Sequence, residues 1–321
     1  MTFPTTRSLV FQLLEEFCAH QDLRLTAGDP YGHAGLVESS GGSRWFFKGT
    51  RFDLNSLGAA EIANDKAYAS KFLGKNGLPV ATSCFITSTD ILNGQPLPEY
   101  VRSFTSRTNF PLYVKPNIGQ EGRDVIRVDT DSTLQATLEI LAKRHDHLLV
   151  QEEIRGRELR IVILDGEIQC AIERLAPTIT GDGLRSIADL LKMTGKLTPD
   201  DKRITTELAA QNLTLDYVPF SGQRITVLPI ANLSAGGTAR IVTREIAPDI
   251  LSFASRASQS LGLRYAGVDL ILPEAAEAES PAVVLEVNAA PGLSNLARQG
   301  LAELDLVKEI YSKIFSAMFL D

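Results

Sequence analysis

The sequence has few cysteines and no sulfur-rich motif. Among 321 residues only Cys18, Cys84 and Cys170 occur, widely spaced and without a CxxC pair or a Cys/His cluster. A disulfide framework needs paired cysteines, and a structural zinc site needs clustered Cys and His ligands. Neither is indicated, and this cysteine usage predicts a reducing, cytoplasmic location.

Long apolar runs and an excess of positive charge are also lacking. No stretch approaches the ~20 apolar residues of a membrane-spanning helix. The 32 Lys and Arg residues are outnumbered by 39 Asp and Glu residues, which gives a formal net charge of −7. Because nucleic acids and anionic membranes are bound by basic patches, neither partner is predicted, and small-molecule substrates are favoured.

Common nucleotide-binding and nucleophile signatures are missing too. There is no GxxxxGK[ST] sequence, and no GxGxxG leads from a predicted strand into a helix. P-loop and Rossmann folds are therefore disfavoured. The sequence shows no organised Ser/His/Asp or Cys/His arrangement, so no protein nucleophile is predicted.

What the sequence does contain is a mixture of helical and extended segments, which predicts an α+β fold. Its length and its 44% hydrophobic content suggest two or three lobes at roughly 150 residues per domain. We predict a short N-terminal, substrate-side region at 1–63, a first lobe at 64–145 and a second lobe at 146–321. Predicted helices cover 8–20, 56–76, 132–143 and 248–261, and predicted strands cover 44–48, 113–116, 125–128, 148–151, 159–164, 167–172, 266–272 and 282–287.

A lysine lies at the end of a predicted strand that leads into a glycine loop. Lys115 in YVKP is followed by Gly119 and Gly122. Glycines let backbone N–H groups approach phosphate oxygens closely, and a neighbouring ammonium adds a positive charge. The pattern indicates phosphate binding, but an ordinary surface turn is an equally simple interpretation.

Two carboxylates and an amide interrupt the last two apolar strands. Glu286 and Asn288 are two residues apart, so on a strand their side chains share a face, and Asp269 interrupts the run AGVDLIL. Buried carboxylates are costly unless something neutralises them, and Mg²⁺ takes oxygen ligands of this kind. The alternative is a set of carboxylates in solvent at the strand ends.

The segment 151–158, QEEIRGRE, follows a predicted buried strand. It offers backbone groups for the edge of an adenine and a later carboxylate, Glu158, for sugar hydroxyls. A charged surface loop is the alternative interpretation.

In this order, the motifs resemble those of the ATP-grasp superfamily. The resemblance is strongest to the ATP-grasp core of cyanophycin synthetases and weaker to D-alanine-D-alanine ligases and glutathione synthetases. It runs from about Asn64 to Gly292. The motifs are NDK at 64–66, YVKP at 113–116, the glycine loop at 119–122, the hinge at 151–158, Arg160 with Asp165-Gly166, GDG at 181–183, NLSAGGTA at 232–239, AGVDL at 266–270 and EVNAAPG at 286–292.

The resemblance implies two α+β lobes that grip ATP, and it implies residue roles. Lys66 and Lys115 would bind the phosphates under a lid that contains Gly119 and Gly122. The adenine would lie against Gln151, Glu152, Glu153 and Ile154, with Glu158 on the ribose. One or two Mg²⁺ ions, with Mn²⁺ as a substitute, would be bound by Asp269, Glu286 and Asn288.

Three arginines are candidates for the substrate side of the site. Arg174 matches a family arginine and would bind the substrate carboxylate or the acyl phosphate; the alternative is a surface arginine paired with Glu173 or with an acidic residue of a loop. Arg160 and Arg240 are weaker candidates. Gly267 stands where D-alanine-D-alanine ligases have an arginine, so the substrate geometry of those ligases does not carry over.

The activity implied by the resemblance is ADP-forming ligation of a carboxylate to an amine through an acyl phosphate. The substrates would be amino acids or a short peptide. The sequence allows a homo-oligomer but does not indicate an oligomeric state. Two alternatives are a kinase-like phosphotransferase and a non-catalytic, ATP-binding regulatory protein. Residues 1–63 are short for the substrate lobe of a D-alanine-D-alanine ligase, and no Mur-ligase-like domain is expected in this chain.

Overall fold

The structure is a computed structural model that describes residues 7–92, 96–119, 122–195, 197–228, 236–273 and 282–319. Parts of two motifs lie outside these residues: Gln120 and Glu121 of the glycine loop, and residues 232–235 of NLSAGGTA. Within the described residues, no helix is both long and apolar enough to cross a membrane. The three cysteines are unpaired.

The N-terminal region folds into one helix and a small antiparallel sheet. Helix α1 packs against the last helix, and aromatic rings from both ends of the chain meet there, with Phe17 and Phe315 centroids 5.5 Å apart. The strands follow one another in the order β1-β2-β3-β4. The elements are α1 (Leu9–His20), β1 (Leu23–Ala27), β2 (Ala34–Ser39), β3 (Arg44–Lys48) and β4 (Arg51–Phe52).

Two helices follow where one was predicted over 56–76. They are α2 (Leu57–Asn64) and α3 (Lys66–Lys75), and Asp65 between them is extended, with φ −91° and ψ 104°. Its carboxylate accepts a hydrogen bond from the backbone N–H of Tyr68, which caps the start of α3. The single-helix prediction was therefore wrong, because Asp65 ends one helix and begins the next.

A four-stranded sheet in the order β5-β8-β6-β7 forms the next layer, covered by three helices. Strand β8 pairs with β5 and β6, although the sequence assigned its residues to the second lobe. The change of sheet thus comes after Glu152, whereas the lobe boundary at 146 stays a prediction. The elements are β5 (Ser83–Thr87), α4 (Ser88–Leu92), α5 (Glu99–Thr108), β6 (Leu112–Pro116), β7 (Ile126–Val128), α6 (Asp131–Ala142) and β8 (His147–Glu152).

A five-stranded antiparallel sheet carries most of the remaining core, in the order β13-β10-β9-β14-β15. The predicted Asp165-Gly166 hairpin turn between β9 and β10 is confirmed, since both residues have positive φ. The elements are β9 (Gly156–Leu164), β10 (Glu167–Leu175), β13 (Thr238–Ile241), α9 (Pro248–Ser260), β14 (Tyr265–Pro273), β15 (Val283–Asn288), α10 (Ser294–Ala297) and α11 (Leu301–Phe319).

Between β10 and β13 the chain forms a small subdomain with its own apolar core, which includes Ile187, Leu191 and Ile204. No helix or strand was predicted in this part of the sequence. Its elements are β11 (Thr178–Thr180), α7 (Ile187–Thr194), α8 (Lys202–Ala210) and β12 (Arg224–Thr226).

Candidate active site

Lys115 lies on β6, in the four-stranded sheet that also contains β8. Its Nζ donates to Gln151 Oε1 on β8 at 2.6 Å, and the lysine is buried. Burial lowers the pKa of Lys115 to about 8, although the nearby charge of Glu286 opposes the shift. The surface-turn interpretation of Lys115 does not fit a buried ammonium.

Lys66 reaches the same place from the first position of α3. The loop after β6 holds the start of this helix, because the Lys66 and Ala67 N–H groups donate to the carbonyl and side-chain oxygens of Asn117 at 3.3 and 2.9 Å. Lys66 Nζ donates to the Gly119 carbonyl at 3.1 Å and lies 3.6 Å from Glu286 Oε2. Both predicted phosphate-binding lysines therefore converge on one site.

The three predicted metal ligands are neighbours on β14 and β15. Asp269 lies directly opposite Glu286, and Gly267 lies opposite Asn288. Asn288 Nδ2 is 3.2 Å from Glu286 Oε1 and 3.4 Å from Asp269 Oδ2. Burial alone would raise the pKa of Glu286, but the charges of Lys66, Lys115 and Arg160 outweigh it and lower that pKa to about 2.

This donor set fits a hard divalent cation, since it combines two neighbouring carboxylates with an amide side chain whose Oδ1 would serve as the third oxygen ligand. Within the described residues no group of three His, Cys, Asp or Glu side chains could bind a metal, so Asn288 would have to be a ligand. The metal assignment stays a prediction.

Two arginines contact the buried carboxylate of Asp269. Arg160 Nε and Nη2 each donate to one of its oxygens at 2.6 Å. Arg174 Nη1 donates to Asp269 Oδ2 at 3.1 Å and to Glu158 Oε1 at 2.8 Å. The alternative pairing of Arg174 with Glu173 was wrong, because adjacent strand residues point to opposite faces.

Glu173 faces the other side of the sheet, where it accepts hydrogen bonds from Arg157 and Arg240. Arg240 also pairs with Glu245 and lines neither of the cavities described below. The structure thus brings Arg160 into the site and leaves Arg240 outside it.

The hinge residues are held by specific contacts. Glu152 Oε1 accepts from the Thr82 N–H at 2.6 Å, and Glu153 Oε1 accepts from Arg127 Nε at 2.7 Å. Burial raises the pKa of Glu158, while the charge of Arg174 opposes that shift. Only residues 155–157 are exposed and resemble the charged surface loop of the alternative interpretation; the Arg155 side chain is 72% exposed.

Two adjoining cavities are lined by the predicted site residues. The first has a volume of about 690 Å³, within the usual range for small-molecule sites, and the second about 420 Å³. Lys66, Gly119, Gly122, Arg174 and Glu286 line both. The first is also lined by Lys115, Gln151, Glu152, Glu153, Ile154, Glu158 and Asp269, and Asn288 lines the second.

Several lining residues were not predicted. Arg127, Glu207 and Gln211 line the first cavity, and Thr50 and Arg51 line the second. Glu207 and Gln211 lie on and just after α8 of the small subdomain, whose elements the sequence left unassigned. No local sequence pattern marks Thr50 or Arg51 as a site residue.

Two family models match separate parts of the chain. The model described as the D-ala D-ala ligase C-terminus matches residues 72–180, and the RimK-like ATP-grasp domain matches residues 230–314. Cyanophycin synthetase from Trichormus variabilis is 29% identical over 262 residues, which are 76% of this chain and 28% of that protein.

The glutathione biosynthesis bifunctional protein GshAB from Streptococcus agalactiae is 28% identical over 213 residues, 60% of this chain and 28% of that protein. The chain thus spans less than a third of the length of these relatives.

Solved structures share the fold. A bifunctional glutathione synthetase from Pasteurella multocida matches 96% of this chain and 44% of its own, with a TM-score of 0.58 and 21% identity. D-alanine-D-alanine ligase from Bacillus anthracis matches 82% of this chain and 68% of its own, with a TM-score of 0.54 and 18% identity. With the two family matches, this likeness confirms the predicted α+β architecture and the resemblance of the chain to the ATP-grasp superfamily.

Proposed function

We propose that the chain is a magnesium-dependent, ADP-forming ligase that joins a carboxylate to an amine through an acyl phosphate. The observation that carries this proposal is the continuity of the two cavities, which share Lys66, Arg174 and Glu286. A nucleotide in the first cavity would face a substrate in the second across these charged groups. Similarity to proteins named as synthetases and ligases supports the same reaction class.

The first cavity would bind ATP. Its lysines, Lys66 and Lys115, would contact the phosphates, and the loop that contains Gly119 and Gly122 would cover them. Gln151 to Ile154 would contact the adenine and Glu158 the ribose. Asp269, Glu286 and Asn288 would bind one or two Mg²⁺ ions, or Mn²⁺ in their place. These ions would supply further positive charge at the phosphates.

The proposed reaction has two steps. A carboxylate oxygen of the first substrate attacks the γ-phosphorus, and the bond to ADP breaks. The amine then attacks the carbonyl carbon, and phosphate leaves with one oxygen of the original carboxylate. The cationic side chains of Lys66, Lys115 and Arg174 would hold these groups in line and stabilise the developing negative charge.

A panel of amino acids and small acids, scored for ADP release with the product mass determined, tests the proposal. With an oxygen-18 label in the substrate carboxylate, the label must appear in the released phosphate. Detection of AMP, or an amide formed without label transfer, would overturn the acyl-phosphate mechanism. A phosphorylated product that does not react with any amine would indicate a kinase. ATP binding without turnover of any carboxylate and amine pair would indicate a regulatory protein.

A further inference from the structure

The small N-terminal sheet reaches the second cavity through a single hairpin. Strands β3 and β4 are joined by Gly49 and Thr50, and Lys48 pairs with Arg51 across the turn. Gly49 has φ +60°, a conformation that tight two-residue turns require. The turn places Thr50 and Arg51 on the wall of the cavity.

Hydrogen bonds fix this hairpin against the segment that follows β15, the strand that carries Glu286 and Asn288. Thr50 Oγ1 donates to the Ala290 carbonyl at 2.8 Å. Asn55, just beyond the hairpin, donates from Nδ2 to the Ala289 carbonyl at 2.7 Å and to the Tyr265 carbonyl at 2.6 Å. Because Ala289 and Ala290 directly follow Asn288, the backbone of Arg51 has a defined position relative to the site.

The second cavity has more cationic than anionic side chains. Arg51, Lys66, Arg160 and Arg174 line it, with Glu286 as its one lining carboxylate among the described residues. Three of these cations are engaged: Lys66 by Glu286, Arg160 by Asp269, and Arg174 by Glu158 and Asp269. The side chain of Arg51 is exposed and has no ion pair or hydrogen bond within the described part of the chain.

Arg51 also lies on the wall of the second cavity that faces away from the cavity proposed for the nucleotide. Lys66 and Arg174 line both cavities, whereas Arg51 lines the second one alone. The reacting carboxylate must face the γ-phosphate, and therefore the shared residues. A guanidinium on the far wall is placed for a different anionic group.

We propose that Arg51 binds a carboxylate of the substrate in the second cavity that takes no part in the reaction. A guanidinium can form two parallel hydrogen bonds with such a group. The inference rests on the proposed ligase function and narrows its substrates. Either the amine substrate is an α-amino acid with a free carboxylate, or the donor is a dicarboxylic acid, and Arg51 recognises the same chemistry in both.

The test compares free acids with their neutral amides in the ligation assay. Standard α-amino acids are offered beside their α-carboxamides as amine substrates, and succinate and glutarate beside their monoamides as donors. We expect the wild type to prefer the free acid in one of the two sets. Arg51→Gln should raise KM for that acid about tenfold or more, remove the preference and leave KM for ATP unchanged.

Two further variants separate binding from general damage to the sheet. Arg44→Gln changes another arginine of the same sheet, which pairs with Glu38 at 3.3 Å and lines neither cavity, so its KM values should stay at those of the wild type. Thr50→Val removes the hydrogen bond that holds the hairpin and should raise KM for the same acid by less than Arg51→Gln does.

The outcomes distinguish failure of this inference from failure of the ligase proposal. If the wild type forms amides and Arg51→Gln keeps the preference, the role of Arg51 is overturned and the ligase stands. If no pair is ligated, calorimetry with glutarate and with alanine, in the presence of Mg²⁺ and a non-hydrolysable ATP analogue, decides. Binding that Arg51→Gln weakens about tenfold supports the site, and absent or equal binding overturns it.

Discussion

Arg160 and Asp269 lie directly opposite each other on β9 and β14 and form a bidentate ion pair, with both N–O distances at 2.6 Å. The Asp269 side chain is only 2% exposed, and Arg174 contacts the same carboxylate. Two cations thus offset the burial of one carboxylate, and a metal ion bound by Asp269 would share its oxygens with them.

This ion pair predicts a large loss of stability when its acid is removed. Asp269→Asn should lower the free energy of unfolding by about 3–5 kcal/mol, because Arg160 and Arg174 lose a buried counter-charge. Asp165→Asn is a matched control, since it breaks a half-exposed pair with Arg264 and should cost about 1 kcal/mol or less. Urea denaturation measures both, and equal losses would contradict a structural role for the buried pair.

Lys115 predicts a pH dependence of ATP affinity. Its pKa of about 8 lies below the ~10.4 of a free lysine, so the unliganded site loses this charge as pH rises through 8. Phosphates favour the charged form. The affinity for ATP should therefore be constant below about pH 7 and fall by up to about tenfold per pH unit above 8. Above pH 8, ATP binding should be accompanied by uptake of a proton.

Calorimetry across this pH range, in buffers of different ionisation enthalpy, measures both effects. Lys115→Met should bind ATP more weakly than the wild type, with a smaller dependence on pH between about 7 and 9. A wild-type affinity that is constant over that range would show that Lys115 does not contact the phosphates.

Sequence patterns could identify the residues of the site better than they could place them. The two-residue spacing of Glu286 and Asn288 places both side chains on one face of a strand. Asp269 is recognisable because it is the charged residue in an otherwise apolar strand. That Asp269 faces Glu286 depends on strand register, which no local pattern contains. Likewise β8 joins the sheet of β5 and β6 through pairing between distant segments.

The contribution of the N-terminal sheet was beyond local reasoning for the same cause. Thr50 contacts Ala290 across 240 positions of sequence, and Asn55 contacts Ala289 across 234. Arg51 in the segment GTRF has no spacing that marks it as a site residue. By contrast, the break at Asp65 could have been read locally, because Asp is a favoured residue at the start of a helix.

The proposed metal ligands predict a specific loss of turnover. Glu286→Gln or Asn288→Ala should reduce ADP formation by about 100-fold or more and raise the Mg²⁺ concentration needed for half-maximal rate, since each removes an oxygen ligand. Glu309→Gln, on the exposed face of α11 beside Lys313, is the control and should leave the rate unchanged. Near-UV circular dichroism checks the fold. Full activity in both site variants, with unchanged Mg²⁺ dependence, would exclude the metal assignment.

Arg174 predicts a separation of turnover from nucleotide binding. The charges of Asp269 and Glu158 outweigh its burial and raise the pKa of Arg174, so it stays cationic throughout the working pH range. It lies where the two cavities meet, beside the position proposed for the reacting carboxylate. Arg174→Ala should therefore lower kcat by about 100-fold, as loss of a group that stabilises developing charge does.

The dissociation constant for ATP should change much less than kcat in this variant, by about tenfold or less if the effect reaches the nucleotide only through Glu158. Arg240→Ala, which removes an exposed arginine paired with Glu173 and Glu245, is the matched control and should change neither quantity. Single-turnover rates and calorimetry give the two values separately. An equal loss of ATP affinity and turnover in Arg174→Ala would assign this arginine to the nucleotide site instead of the acyl phosphate.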